Sequence, residues 1–82
     1  MNNSEELRKK VLKICREVNS EIPDDDSLLL IENGYVDSFG VFVIMASIEI
    51  EFDIKVLDEE MNQDNFKNIN NIVRLIEKHK EI

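Results

Sequence analysis

The sequence predicts an all-α fold, a bundle of three long helices and one short one with a long first connection. Three observations carry this. Apolar residues recur at three- and four-residue steps in three separate stretches. Two glycines and one proline leave too little turn chemistry for a sheet built on hairpins. At 82 residues and 43% hydrophobic content, the chain can fill one modest core, so a single domain spanning 1–82 is expected.

The first helix is expected over 4–19. Ser4 is placed as its N-cap, with Glu5 and Glu6 favourable in the first turn. Leu7, Val11, Ile14, Cys15 and Val18 form its buried stripe, while Arg8, Lys9, Lys13 and Arg16 lie off it as a solvated side. Cys15, the only cysteine, falls on the apolar stripe and reads as a small core residue, and one cysteine excludes an intramolecular disulfide.

Pro23 bars continuation of that helix, and 21–36 becomes a long connection. Asp24-Asp25-Asp26-Ser27 caps a turn through Leu28, Leu29, Leu30 and Ile31, and that apolar run suggests a loop pinned by its own side chains. The aspartates lack the spacing and closing glutamate of a calcium loop. Asn33-Gly34 signals a turn with Gly34 at positive φ.

The second helix is expected from Asp37 or Ser38 to Phe52, with Asp37 as N-cap. At about 100° per residue, Val41, Ile44, Met45, Ile48 and Phe52 share one arc, assigned to the core. Phe39, Val43, Ala46 and Ile50 share another. A helix apolar on two sides is either central to its bundle or keeps one side for a partner, and both remain open at this point. Gly40 weakens a helix by roughly 1 kcal/mol relative to alanine, and close approach of another group beside Ser38 would account for it. Ile54 and Val56 then plug the core, a short helix or single turn lies between Asp58 and Phe66, and Phe66 packs inward. The last helix runs from a cap at Asn68 to Lys80, burying Ile69, Ile72, Val73 and Ile76, with His79 at its dipole-favoured end.

The net charge is −8, which argues against nucleic acid and anionic membranes as partners. Between Glu17 and Phe66 there are fourteen acidic residues and one basic residue, Lys55. That negative middle either steers a basic partner or serves solubility alone. No segment approaches the roughly 18 apolar residues of a membrane span, and no signal peptide opens the chain, so a cytoplasmic protein is expected.

No catalytic set is expected. The single histidine, at the far end of the chain, has no credible arrangement with a serine nucleophile, and there is no phosphate-cradling loop or paired-cysteine metal site. Ser38 remains. Its oxygen is a weak nucleophile until another protein activates it, and a helix N-terminus suits a phosphate ester. Asp37 beside it suits a divalent cation during such a transfer. From these two residues alone, the plainer reading is that they only cap the helix.

The wider pattern resembles the acyl carrier protein family, which includes peptidyl and D-alanyl carriers. The resemblance rests on an amphipathic first helix, Asp-Asp-Asp-Ser-Leu at 24–28, and Gly34-Tyr35-Val36-Asp37-Ser38-Phe39. It continues through Ile48-Glu49-Ile50-Glu51-Phe52-Asp53-Ile54, Asp58-Glu59-Glu60 and Asn65-Phe66-Lys67-Asn68-Ile69. It implies a four-helix bundle with a short third helix, and a freestanding monomer that is not an enzyme. It also implies 4'-phosphopantetheine on Ser38, attached from coenzyme A by a phosphopantetheinyl transferase using Mg²⁺, with Asp37 as the metal-side helper. The arm carries an acyl or aminoacyl thioester between loading and acceptor enzymes, which meet Phe39, Val43, Ala46 and Ile50. Phe39 replaces the leucine common after the serine, and Gly40, Val43 and Ile50 replace acidic residues of fatty-acid carriers. These departures point to a specialised pathway outside the main fatty-acid cycle. The rival is a small helical adaptor that binds through the second apolar arc, with Ser38 only a cap.

The crowded carboxylates predict self-repulsion that salt screens. The thermal midpoint is expected to rise with NaCl and with Mg²⁺, measured by circular dichroism. A flat response would show the charges to be well dispersed.

Overall fold

The computed structural model describes residues 3–80. These contain three α-helices: α1 (Asn3–Val18), α2 (Ser38–Phe52) and α3 (Ile69–Lys80). Two 3-10 turns, Asp58–Glu60 and Gln63–Phe66, occupy the segment where a short third helix was expected, and no strand occurs among the described residues. The 57–66 segment turns tightly because two local acceptors stop it twice: Glu60 Oε1 takes the Leu57 N–H at 2.9 Å, and Asn62 Oδ1 takes the Asn65 N–H at 3.0 Å.

The core is the meeting of the three stripes. Val11, Ile14 and Cys15 of α1 face Ile44, Met45 and Ile48 of α2 and Ile69, Ile72, Val73 and Ile76 of α3, all buried. Phe66 and Val56 seal the lower segment, each 1% exposed. Leu12 and Leu75 are buried as well, widening both outer stripes by one residue. Burying side chains of this size stabilises by roughly 1.5–3 kcal/mol each. Cys15 is fully buried, and its thiol is pushed up to about 12 by desolvation, so it is inert at neutral pH.

Ser4 is not the cap of α1. The helix already includes Asn3, and the Ser4 hydroxyl donates to Glu77 Oε2 at 2.6 Å, tying α1 to α3. A serine at a helix entry looks alike in sequence whichever way its hydroxyl turns.

The long connection is pinned. Leu30 is 1% exposed and its N–H donates to the Lys67 carbonyl at 2.8 Å, while Ile22 is buried as well. Leu28, Leu29 and Ile31 are half-buried. Arg8 forms ion pairs with both Asp24 and Asp26, and Asn19 Nδ2 donates to the Tyr35 carbonyl at 2.9 Å. The aspartates therefore hold the loop to α1, with Asp25 accepting from the Ser27 amide and hydroxyl. Gly34 takes φ +80°, as the turn requires.

At the far end of α2, Asp53 takes the left-handed conformation (φ 55°), and the Ile54 N–H reaches back to the Glu49 carbonyl at 3.2 Å. The Glu49 carboxylate accepts the Val56 N–H at 2.9 Å and fixes the return of the chain. α3 starts on the cap expected of it, since Asn68 Oδ1 accepts the Asn71 N–H at 2.8 Å. No helix among the described residues is long and apolar enough to cross a membrane.

Gly40 is needed for a reason other than the approach of an outside group. It is buried, and a Cβ there would stand 2.8 Å from Val36 Cγ1 and 3.1 Å from Val18 Cγ1. The close approach is made by the protein's own valines, where α2 crosses the end of α1. Gly40→Ala should therefore lower stability by about 1–2 kcal/mol in urea denaturation, the overpacking outweighing the roughly 1 kcal/mol that alanine gains in a helix. A raised midpoint would show that α2 has room to move.

Candidate functional site

The site is built on the first turn of α2. Asp37 precedes it in extended backbone (φ −99°, ψ −177°), and its Oδ1 accepts the Gly40 N–H at 2.8 Å. Its carbonyl accepts the Val41 N–H at 3.0 Å. The cap is thus supplied by Asp37 alone. The amides of Ser38 and Phe39 stay at the mouth of the helix with no intrahelical acceptor, at the positive end of the dipole. Apart from the Asp37 cap, no acidic residue lies in the first turn of α2 to offset that field.

Ser38 is exposed, and its hydroxyl has no hydrogen-bond partner among the described residues. A capping serine would have its oxygen on the backbone of the next turn. Here that place is filled by Asp37, and the Ser38 oxygen is left facing solvent. Such an oxygen can accept a bulky phosphodiester without disturbing any bond of the fold, so the residues fit a phosphate-linked group.

Ser38 also lines a groove of about 140 Å³. Val41, Phe42 and Met45 of α2 line one wall, with Ile31 from the long connection. Met61, Asn62 and Gln63 line the other. The groove is mostly apolar, and its second wall belongs to the 3-10 segment.

The outer face of α2 carries the second apolar arc uncovered. Phe39 is 75% exposed, Val43 40% and Ile50 83%, and Ala46 is exposed between them. α2 is therefore not central to the bundle: it is held by one side and shows the other to solvent. Phe42, 62% exposed, belongs to the same face although it was assigned to neither arc. Its helical angle, about 60° from Phe39, was the available signal. Gly40 does not face outward with Val43 and Ile50 but is turned toward α1, so only two of the three positions aligned with acidic residues look to solvent. The residues singled out by sequence, Asp37, Ser38, Phe39, Val43, Ala46 and Ile50, therefore lie together along one helix, from its mouth down its outer side.

The chain is similar to D-alanyl carrier proteins. It is 33% identical over 70 residues to that of Bacillus velezensis, covering 83% of this chain and 90% of that protein. It is 31% identical over 70 residues to that of Bacillus subtilis, with the same shares covered. Against that of Staphylococcus xylosus it is 31% identical over 74 residues, covering 88% of this chain and 95% of the other. No protein-family model matches the chain.

The division of labour between Asp37 and Ser38 gives opposite expectations for two alanine variants. Asp37→Ala should lower unfolding stability by about 1 kcal/mol, the usual loss for an N-cap carboxylate. Ser38→Ala should stay within about 0.5 kcal/mol of the parent. Urea melts of the two variants read this directly, and a reversed order would show Ser38 to be the cap.

Proposed function

The chain belongs to the acyl carrier protein family, and from that we propose that it carries cargo as a thioester on a 4'-phosphopantetheine arm linked to Ser38. The observation that carries the reading is the Ser38 hydroxyl, exposed and unpartnered at the mouth of α2. The arm supplies a terminal thiol on which an acyl or aminoacyl group is held. The chain's own residues supply the attachment point, the electrostatic setting and the surface that partners read; the chemistry is done by the partners.

Each residue has a part in this proposal. Asp37 spends one carboxylate oxygen on the Gly40 N–H. Its other oxygen is the metal-side helper for the Mg²⁺ that a phosphopantetheinyl transferase uses. The Ser38 and Phe39 amides and the helix dipole favour the phosphodiester charge once it is in place. Phe39, Val43, Ala46 and Ile50 form the surface for loading and acceptor enzymes. That stripe is uncharged, which favours partners with apolar contact sites over the basic ones suited to acidic carriers. Together with the D-alanyl carrier relatives, it supports a small aminoacyl cargo such as D-alanyl in a specialised pathway. The protein acts as one freestanding domain, a monomer in the cytoplasm, within the bundle that the family resemblance implies.

A second reading is favoured by the same stripe: a helical adaptor that binds a partner through Phe39, Phe42 and Ile50, with no arm.

One measurement separates them. The purified protein is incubated with coenzyme A, Mg²⁺ and a broad-range phosphopantetheinyl transferase, and its intact mass is recorded. A carrier gains one arm, and Ser38→Ala gains none. Failure of the parent chain to gain mass, beside a control carrier that does, would leave the adaptor.

A further inference from the structure

Glu60 is the one buried carboxylate among the described residues, 5% exposed at the end of the first 3-10 turn. Its Oε1 accepts the Leu57 N–H at 2.9 Å and meets His79 Nε2 of α3 at 2.7 Å. Its Oε2 lies 3.7 Å from Lys78 Nζ, and its carbonyl accepts Asn65 Nδ2 at 2.9 Å. One side chain thus ties the start of the 57–66 segment to the last turn of α3. The next residues, Met61, Asn62 and Gln63, are the far wall of the groove beside Ser38. Whatever holds Glu60 holds that wall.

We propose that Glu60 and His79 form a pH-set clasp, in which the imidazolium pins the 57–63 segment to α3 and keeps the groove wall in place, and the neutral imidazole lets it slacken. The inference stands on the unmodified chain and does not rest on the carrier reading.

The sign follows from the two groups. Burial alone would raise the Glu60 carboxyl, but the Leu57 amide, His79 and Lys78 outweigh it and hold it below its ordinary value. Glu60 therefore stabilises the clasp above its unfolded value and stops doing so as pH falls through its folded one. His79 acts at the other end. A charge-assisted hydrogen bond is roughly twice as strong as a neutral one, so the clasp weakens as pH rises through the imidazole's titration, which for histidine ordinarily falls between roughly pH 5 and 8. Asp58 and Glu59 beside Glu60 on the same turn are exposed, and the other nearby charges are tied as follows. Lys78 shares Glu60, Lys80 donates to the Phe52 carbonyl at 3.0 Å, Glu49 of α2 accepts from Val56, and Asp64 lies 3.7 Å from Lys67.

His79 is the only histidine, so its ring protons report its titration without ambiguity. The test is a nuclear magnetic resonance titration of the full chain from pH 5 to 8.5. It follows the His79 ring, the Leu57 amide and the Met61 methyl, with amide hydrogen exchange at both ends. The expected result is one shared midpoint for all three signals. Leu57 exchange, corrected for its intrinsic pH dependence, should be about fivefold to tenfold faster when the ring is neutral. In Glu60→Gln the Met61 methyl and the Leu57 exchange should no longer follow the ring, with Lys78→Gln showing a smaller loss of that coupling. A Met61 methyl and Leu57 exchange that stay flat while the ring titrates in the parent chain would overturn the proposal. So would a Met61 methyl that follows the ring in Glu60→Gln as it does in the parent. If Glu60→Gln does not fold, the parent titration decides alone. Ser38→Ala should behave as the parent, which keeps this result separate from the fate of the arm.

Discussion

Ile44, Met45 and Ile48 hold α2 to the rest of the molecule by one side only, and the site exists because of that asymmetry. An 82-residue chain has too little material to wrap an apolar helix all round. The three residues are 1%, 6% and 0% exposed, while Phe39, Phe42 and Ile50 of the same helix are more than half exposed. Leaving those side chains in water forgoes roughly 1.5–3 kcal/mol each. The fold tolerates this because α2 is fixed at both ends by other means. Gly40 lets its first turn settle on Val36 and Val18, and Glu49 ties its last turn to the Val56 amide. A helix anchored in this way can keep a full face for contact.

Much of this is legible in the sequence because periodicity and local cap chemistry carry it. The buried stripes of all three helices, the role of Asp37, the cap at Asn68 and the positive φ at Gly34 each follow from residues a few positions apart. What escaped depends on long-range geometry. Ser4 reaches Glu77 across 73 positions, and Glu60 meets His79 across 19. No spacing rule connects such pairs, since each lies in a stretch that reads as an ordinary polar surface. Gly40 shows a different limit. Its presence in a helix signalled a close approach, but only coordinates could say that the approaching atoms were the chain's own valines. The short third helix expected of the sequence is instead two 3-10 turns, because two single hydrogen bonds to side chains, on Glu60 and Asn62, set the local geometry.

The charge distribution acquires a structural division. Several carboxylates of the acidic middle are occupied: Asp24 and Asp26 on Arg8, Glu49 on Val56, Glu60 on His79 and Lys78. They organise the loop and the lower segment rather than the exposed face of α2. That face is instead a band of aromatic and aliphatic side chains leading away from Ser38. The negative field and the exposed apolar band are therefore distinct features of one small molecule.

The silence of Cys15 has a chemical meaning for a protein proposed to move thioesters. Sulfur exchanges acyl groups with sulfur, and the attacking form is the thiolate. A solvent-facing cysteine of ordinary acidity would be a standing sink, drawing the activated group off the arm and stranding it on the polypeptide. With its only thiol sealed between α1 and its neighbours and kept protonated, the chain offers the proposed arm no thiol of its own to which a load could migrate.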